Sequence, residues 1–161
     1  MQQPSSQEIA EWDHWFAAYF NNLAWTLAER EERTPAEGEE MLHLARASAL
    51  HWSRVGNELN KMRADMLLAH IHALLGNGSL ALSHAQRFYE YFSSQPSPGW
   101  EMALAEAILA NAAAAAGNGP LHTEHYARAK VLGEAIAEDR DRIVFRRIFN
   151  QVPEPSDARR A

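Results

Sequence analysis

A short pattern, His-x-x-Arg, recurs at a constant interval of 41 residues along the chain. Its copies are His43 to Arg46, His84 to Arg87, and His125 to Arg128. The same step relates two further sets of positions, which are Leu27, Leu68 and Leu109, and Ala28, Ala69 and Ala110. Repeats of about twenty to fifty residues are typical of helix pairs that bury their apolar faces only by stacking on their neighbours. The repeat therefore predicts a stack of similar helical units.

Apolar side chains follow helical spacing in seven segments, and no segment shows convincing alternation with a period of two. The predicted helices span 7–31, 35–55, 58–75, 79–92, 102–116, 120–137 and 139–149. We therefore expect an all-α fold in which three helical hairpins with a period of 41 stack and a C-terminal helix caps them. Residues 1–152 are predicted to form one helical-repeat domain, and 153–161 a flexible polar tail.

The ends of these helices carry recognisable signals. Thr34 and Pro35 have the residue types favoured at an N-cap and at the first helical position. Gly76 fits the left-handed residue that closes a helix, and Ser79 is predicted to cap the next one. The turn GNGSL at 76–80 is repeated as GNGPL at 117–121, which predicts a similar break in the third pair.

One stretch carries the spacing of a known repeat. In ALLGNGSLALSHAQRFY, counted from Met62 as the first position, Gly76 is at position 15, Ala81 at 20 and Ala85 at 24. Tetratricopeptide units place a Gly and two packing Ala there, so this stretch resembles such a unit, although the step is 41 and not 34. Residues 25–56 are also similar to small bacterial helical proteins without an assigned function, which implies no activity.

The resemblance implies a groove lined by the first helix of each pair. The family's groove positions are 2, 5 and 9 of each unit, which correspond here to Asn22, Trp25, Glu29, Arg63, Met66, His70, Leu104, Ala107 and Asn111. These positions lack the Lys and Asn pair with which such domains hold a C-terminal carboxylate. A protein partner that presents a helix or an extended peptide is therefore expected, although a short groove of three pairs could instead pack on the capping helix.

Charge and composition narrow the classes of function. The net charge of −6 arises within residues 1–58, which hold four Arg and ten acidic residues. Such a chain is a poor ligand for nucleic acid, which attracts basic surfaces. The absence of cysteine excludes disulfides and thiolate zinc sites and suits a cytoplasmic location. No signal peptide or membrane span is expected.

The spacing of His and Glu residues bears on metal-dependent chemistry. Glu-x-x-His occurs at Glu11–His14 and Glu40–His43, but antiparallel helices would hold the two motifs about 22 Å apart. His122 and His125 could share one helical face, yet two ligands make no site. We therefore expect no metal, no cofactor and no catalytic residue. A small metal-dependent or hydrolytic enzyme with clustered His and carboxylates is the alternative function.

The recurring His43, His84 and His125 have a structural interpretation. One niche between stacked helices would repeat along the chain, and each imidazole would bond to a neighbouring backbone group or carboxylate. A role beyond packing stays open at this point.

The first helix is unusually aromatic. Within nine residues it carries Trp12, Trp15, Phe16, Tyr19 and Phe20. These rings could cover the edge of the core, or they could form a surface for self-association. An isologous homodimer through this helix is the favoured prediction, and pairing of the acidic N-terminal part with the Arg-rich C-terminal part is the alternative.

Overall fold

The computed structural model describes residues 3–155, whose regular structure consists of α-helices alone. The helices are α1 (Ser6–Ala28), α2 (Pro35–Val55), α3 (Glu58–Leu74), α4 (Gly78–Ser93), α5 (Gly99–Ala115), α6 (Gly119–Glu134) and α7 (Asp139–Phe149). The expected all-α class is confirmed, and each predicted boundary lies within three residues of the observed one. Of the predicted tail, residues 156–161 lie outside the described part of the chain.

Consecutive helices pack as three hairpins, α1/α2, α3/α4 and α5/α6. The hairpins stack because α3 also packs against α2, and α5 also packs against α4. The first helices of the hairpins contact one another in the order α1, α3, α5, and α7 lies against α5 and α6. Stacked helical hairpins with a final capping helix are therefore the architecture of the described chain.

Local signals account for most helix ends. Thr34 accepts a hydrogen bond from the Glu37 amide while the Glu37 carboxylate accepts one from the Thr34 amide, which is a complete capping box. Gly76 and Gly117 have φ values of 73° and 71° and end α3 and α5. The prediction for Ser79 is wrong, because the residue that precedes α4 is Asn77 and Ser79 lies inside the first turn.

Small side chains allow the helices to approach closely. Ala28, Ala69 and Ala110 are fully buried, and so are Ala81 and Ala85 on α4. α5 is buried on all sides, and its mostly small side chains leave room for α3, α4, α6 and α7 around it.

The last helix, α7, packs against the rest of the protein through two buried side chains, Ile148 and Phe145. Ile148 joins the core cluster that also contains Met66 and Leu104. Phe145 lies against Gly133 of α6, where an added Cβ would overlap the ring, with its Cδ1 atom only 2.8 Å away. α7 is therefore part of the packed structure and closes one end of the stack.

The two GNG turns differ in how closely their second Gly approaches another backbone. A Cβ at Gly78 would overlap the carbonyl of Ala115 and lie 2.5 Å from the Cα atom of Ala116, whereas a Cβ at Gly119 would meet no atom within 4 Å. Gly78→Ala is expected to lower the free energy of unfolding by about 1–3 kcal/mol, because rigid backbone must move. Gly119→Ala is the matched control and should change it by less than about 0.5 kcal/mol. Urea unfolding followed by circular dichroism measures both, and equal effects would contradict the observed packing.

Candidate functional site

A cavity of about 220 Å³ lies where the first helices of the three hairpins meet α7. Its lining is mostly apolar and includes two Trp side chains. The lining residues are Asn21, Trp25, Glu29, Arg63, Met66, Trp100, Glu101, Leu104, Val144 and Ile148. Four helices that are distant in sequence therefore build one site.

The structure brings five of the predicted groove residues to this cavity, which are Trp25, Glu29, Arg63, Met66 and Leu104. The others lie elsewhere: Asn22 is exposed on α1, His70 and Ala107 are buried in the stack, and Asn111 lines a separate depression beside His122. Each groove position is defined within one hairpin, so the motif could not identify which positions converge.

Sequence reasoning missed the part of the lining that lies outside the repeat units. Trp100 and Glu101 begin α5 before the third unit starts, and Val144 and Ile148 belong to the capping helix. The only sequence signal for α7 was its amphipathic pattern, which indicates a packed face without saying what it packs against.

Two ion pairs border the cavity. Arg63 Nε donates to Glu101 Oε1 at 2.7 Å, and the Glu101 side chain is almost fully buried. Arg147 Nη1 of α7 donates to Oε2 of Glu29, the residue that follows α1, at 3.0 Å. The first pair orients the guanidinium of Arg63 and leaves its Nη donors for another acceptor, and the second ties the capping helix to the first hairpin.

His70 lies behind the cavity wall and is fully buried. Its ring stacks on Trp25 with centroids 5.5 Å apart, and neither ring nitrogen has a hydrogen-bonding partner within the described residues. Burial, with a smaller effect of the Arg33 charge, lowers the pKa of His70 from 6.5 to about 3. The imidazole is therefore neutral at physiological pH and acts as part of the apolar support of Trp25.

Each hairpin contains a buried carboxylate on its first helix that accepts a hydrogen bond from a His on its second helix. Nδ1 of His51 donates to Asp13 at 2.5 Å, that of His84 to Asp65 at 2.9 Å, and that of His125 to Glu106 at 2.5 Å. An Arg three residues after the His bonds to the same carboxylate in the first two hairpins, where Arg54 and Arg87 each lie 3.2 Å from it. These carboxylate–His clips join the two helices of each hairpin.

The clips confirm the expected bonds of His84 and His125 but correct the first member of the set. His43 is exposed on α2, and position 24, which is 41 residues before Asp65, holds Ala. His51, which starts another His-x-x-Arg pattern, takes the equivalent role. The first clip thus does not follow the interval of 41.

The third clip includes a Tyr from the preceding hairpin. Tyr89 Oη donates to Glu106 Oε1 at 2.9 Å and accepts a longer bond from Arg128 at 3.4 Å. Burial, and then the hydrogen bond to Glu106, raise the pKa of Tyr89. This network connects α4 to the third hairpin.

The aromatic side chains of α1 lie mostly on the surface, away from the cavity. Exposure is 53% for Trp12, 57% for Trp15, 37% for Phe16 and 44% for Tyr19, and Phe20 is partly buried. Ile9 extends this surface with 45% exposure. We refer to the five exposed residues Ile9, Trp12, Trp15, Phe16 and Tyr19 as the aromatic face.

Groups that could bind a metal are separated in the structure. His122 Nε2 donates to the carbonyl of Pro153 at 2.8 Å and does not join His125. In the part of the chain that the structure describes, no three His, Asp or Glu side chains converge as metal ligands. None of the helices there combines the length and the apolar character that crossing a bilayer requires.

Comparison with known proteins adds no relative to these observations. No family model, no curated protein and no solved structure matches the chain.

We expect His70 to lower the free energy of unfolding as the solution becomes more acidic. Its pKa is lowered in the folded state, so between about pH 6.5 and pH 3 the unfolded chain binds a proton at His70 and the folded chain does not. Acid therefore favours the unfolded state. Replacing His70 with Phe removes this pH-dependent contribution to the free energy of unfolding. The free energy of unfolding of His70→Phe, measured relative to that of the wild type, should rise by on the order of 2 kcal/mol when the pH is lowered from 8 to 5. Urea unfolding at both pH values measures the gain. His43→Phe, on the surface, is the control, and a pH-independent difference for His70→Phe would contradict its buried neutral state.

The third clip predicts a second difference in stability. Glu106→Gln removes the charged acceptor of the His125 and Tyr89 bonds and should cost about 1.5–3 kcal/mol. Glu124→Gln removes an exposed ion pair with Arg128 on one helix and should cost less than about 0.5 kcal/mol. Thermal unfolding at neutral pH compares the two variants. Equal losses would mean that the Glu106 bonds are no stronger than a surface pair.

Proposed function

We propose that this chain is a non-enzymatic protein-interaction or scaffold module, built on tetratricopeptide-like helix pairs, that binds one segment of a protein partner in the cavity. The observation that carries the proposal is the convergence of two Trp and several aliphatic side chains from α1, α3, α5 and α7 on one opening. Pockets of this kind, which take an apolar anchor and surround it with a polar rim, supply most of the affinity of many interfaces.

The size of the cavity favours a side chain over a cofactor. Small-molecule sites typically measure about 300–1,000 Å³, and this cavity of about 220 Å³ is smaller. It suits one large aliphatic or aromatic side chain of a peptide or helix. The Nη donors of Arg63, oriented by the buried Glu101, are placed to bond a backbone carbonyl beside that anchor.

A cytoplasmic location belongs to the same proposal, because a chain without cysteine needs no oxidising compartment. The alternative enzymatic function would require a metal or an activated nucleophile. Stoichiometric metal in protein purified without chelator would overturn the non-enzymatic assignment.

A peptide selection tests the binding site. Random peptides displayed on phage are selected on the immobilised full chain, and the selected peptides are titrated against two variants. Val144 lines the cavity and is 38% exposed, so Val144→Trp fills the opening without entering the core. We expect it to weaken binding at least about tenfold, a loss of about 1.4 kcal/mol.

The neighbouring residue provides a matched control. Ile143 is 52% exposed and lies outside the cavity lining, so Ile143→Trp should leave the affinity unchanged. With 5-fluorotryptophan in the protein, bound peptide should shift the ¹⁹F resonances of Trp25 and Trp100 and leave that of Trp52 in place. Failure to select any peptide, or equal affinity for both variants, would refute the cavity as the binding site.

A further inference from the structure

The aromatic face lies on a side of α1 that no helix covers within residues 3–155. In the other two hairpins the first helix packs against the second helix of the preceding hairpin, α3 on α2 and α5 on α4. Among the described helices, the backbone of α1 closely approaches only those of α2 and α3, and the chain just after α1 meets α7 through the ion pair between Glu29 and Arg147. Because no hairpin precedes α1 in the described chain, one side of this helix stays open to solvent, and the aromatic face lies there.

The rings of this face hold one another in place. Trp15 stacks on Tyr19 with centroids 4.7 Å apart, and Phe16 stacks on Phe20 at 5.5 Å. Phe16 also stacks on His51, which the first clip fixes to Asp13. Because these side chains are already ordered, association would cost little additional conformational entropy.

The exposed area is large enough for a specific interface. A buried aromatic side chain covers about 150–250 Å², so four aromatic residues of about half exposure, together with Ile9, present roughly 400–500 Å² per copy. Two such faces would bury an area that approaches the minimum of about 1,000 Å² for a specific interface, and flanking residues would add to this area. Isolated surface aromatics would not reach this area.

The charges of α1 select an antiparallel arrangement. Glu8 and Glu11 lie in its first turns, and from His14 to Ala28 the helix carries no Asp, Glu, Lys or Arg. Parallel pairing of two copies would place like charges together. Antiparallel pairing places the acidic end of each helix beside the uncharged half of the other. α1 carries no Lys or Arg, so it lacks the basic residues with which a surface helix binds an anionic membrane.

We propose that two copies of this chain form an isologous homodimer in which the α1 helices pair antiparallel about a twofold axis near Trp15 and Phe16. In this register Trp12 of one copy lies opposite Tyr19 of the other, and Trp15 lies opposite Phe16. The aromatic faces therefore complement each other across the axis. The proposal concerns a surface separate from the cavity and stands independently of peptide binding.

Sedimentation velocity of the full chain across the micromolar range tests the dimer. The wild type should sediment as a dimer, and Trp15→Glu should sediment as a monomer or show a dissociation constant raised at least about a hundredfold. Val131→Glu is the matched control, because Val131 is a 67% exposed apolar residue on α6, and it should leave the dimer intact. Circular dichroism verifies that both variants are folded.

High salt distinguishes the source of the attraction. A dimer held by apolar burial should persist or strengthen in high salt, whereas a dimer that dissociates would indicate pairing between acidic and basic ends and would overturn the proposal. A monomeric wild type at every concentration, or equal loss of the dimer in Trp15→Glu and Val131→Glu, would also overturn it.

Introduced cysteines test the antiparallel geometry, since the natural sequence contains none. Position 15 lies beside the proposed axis, so oxidation of Trp15→Cys should form a disulfide between the two subunits. Ile9→Cys lies roughly 20 Å from its counterpart, at 1.5 Å per residue, and should stay unlinked. Efficient linkage of Ile9→Cys would indicate a parallel pair and overturn the proposed arrangement.

Discussion

The hydrogen bond between a buried carboxylate and a His on the neighbouring helix is the interaction on which the geometry of each hairpin depends. A buried carboxylate without a partner is strongly unfavourable, so Asp13, Asp65 and Glu106 tolerate only those helix registers that bring their His close. The same first helices line the cavity with Trp25, Arg63 and Leu104. By restricting how the hairpins align, the clips also restrict the shape of the cavity.

The residues of α1 lie in three different environments, which are the buried stack, the cavity and the exposed aromatic face. Ala17, Ala24 and Ala28 are fully buried in the stack. Asn21, Trp25 and Glu29, each four residues apart, line the cavity, and the aromatic face lies on a further side. The fully buried side chains of α1 are small, whereas most of its large rings lie on the exposed side. This division separates the proposed peptide site from the proposed dimer contact.

Much of the fold could be predicted because its causes are local. The capping box at Thr34 and Glu37, the left-handed Gly76 and the apolar spacing of the helices all act within a few residues of each other. The number of aromatic residues on α1 left two outcomes open, coverage of the core edge or an exposed surface, and the structure shows that four of the five lie exposed. The cavity could be predicted only in part, because the repeat units contain Trp25, Arg63 and Met66 but exclude Trp100 and α7.

The sequence by itself determined the positions of the helices and several of their end signals, such as Thr34 and Gly76, and its lack of cysteine excludes disulfides. Tertiary structure decided which of several similar patterns has a role. His43 and His51 both begin a His-x-x-Arg pattern, yet only His51 lies opposite a carboxylate. Gly78 and Gly119 begin equivalent helices, yet only Gly78 lies against another backbone. The physical reason is that these roles depend on contacts between hairpins distant in sequence, which no local pattern specifies.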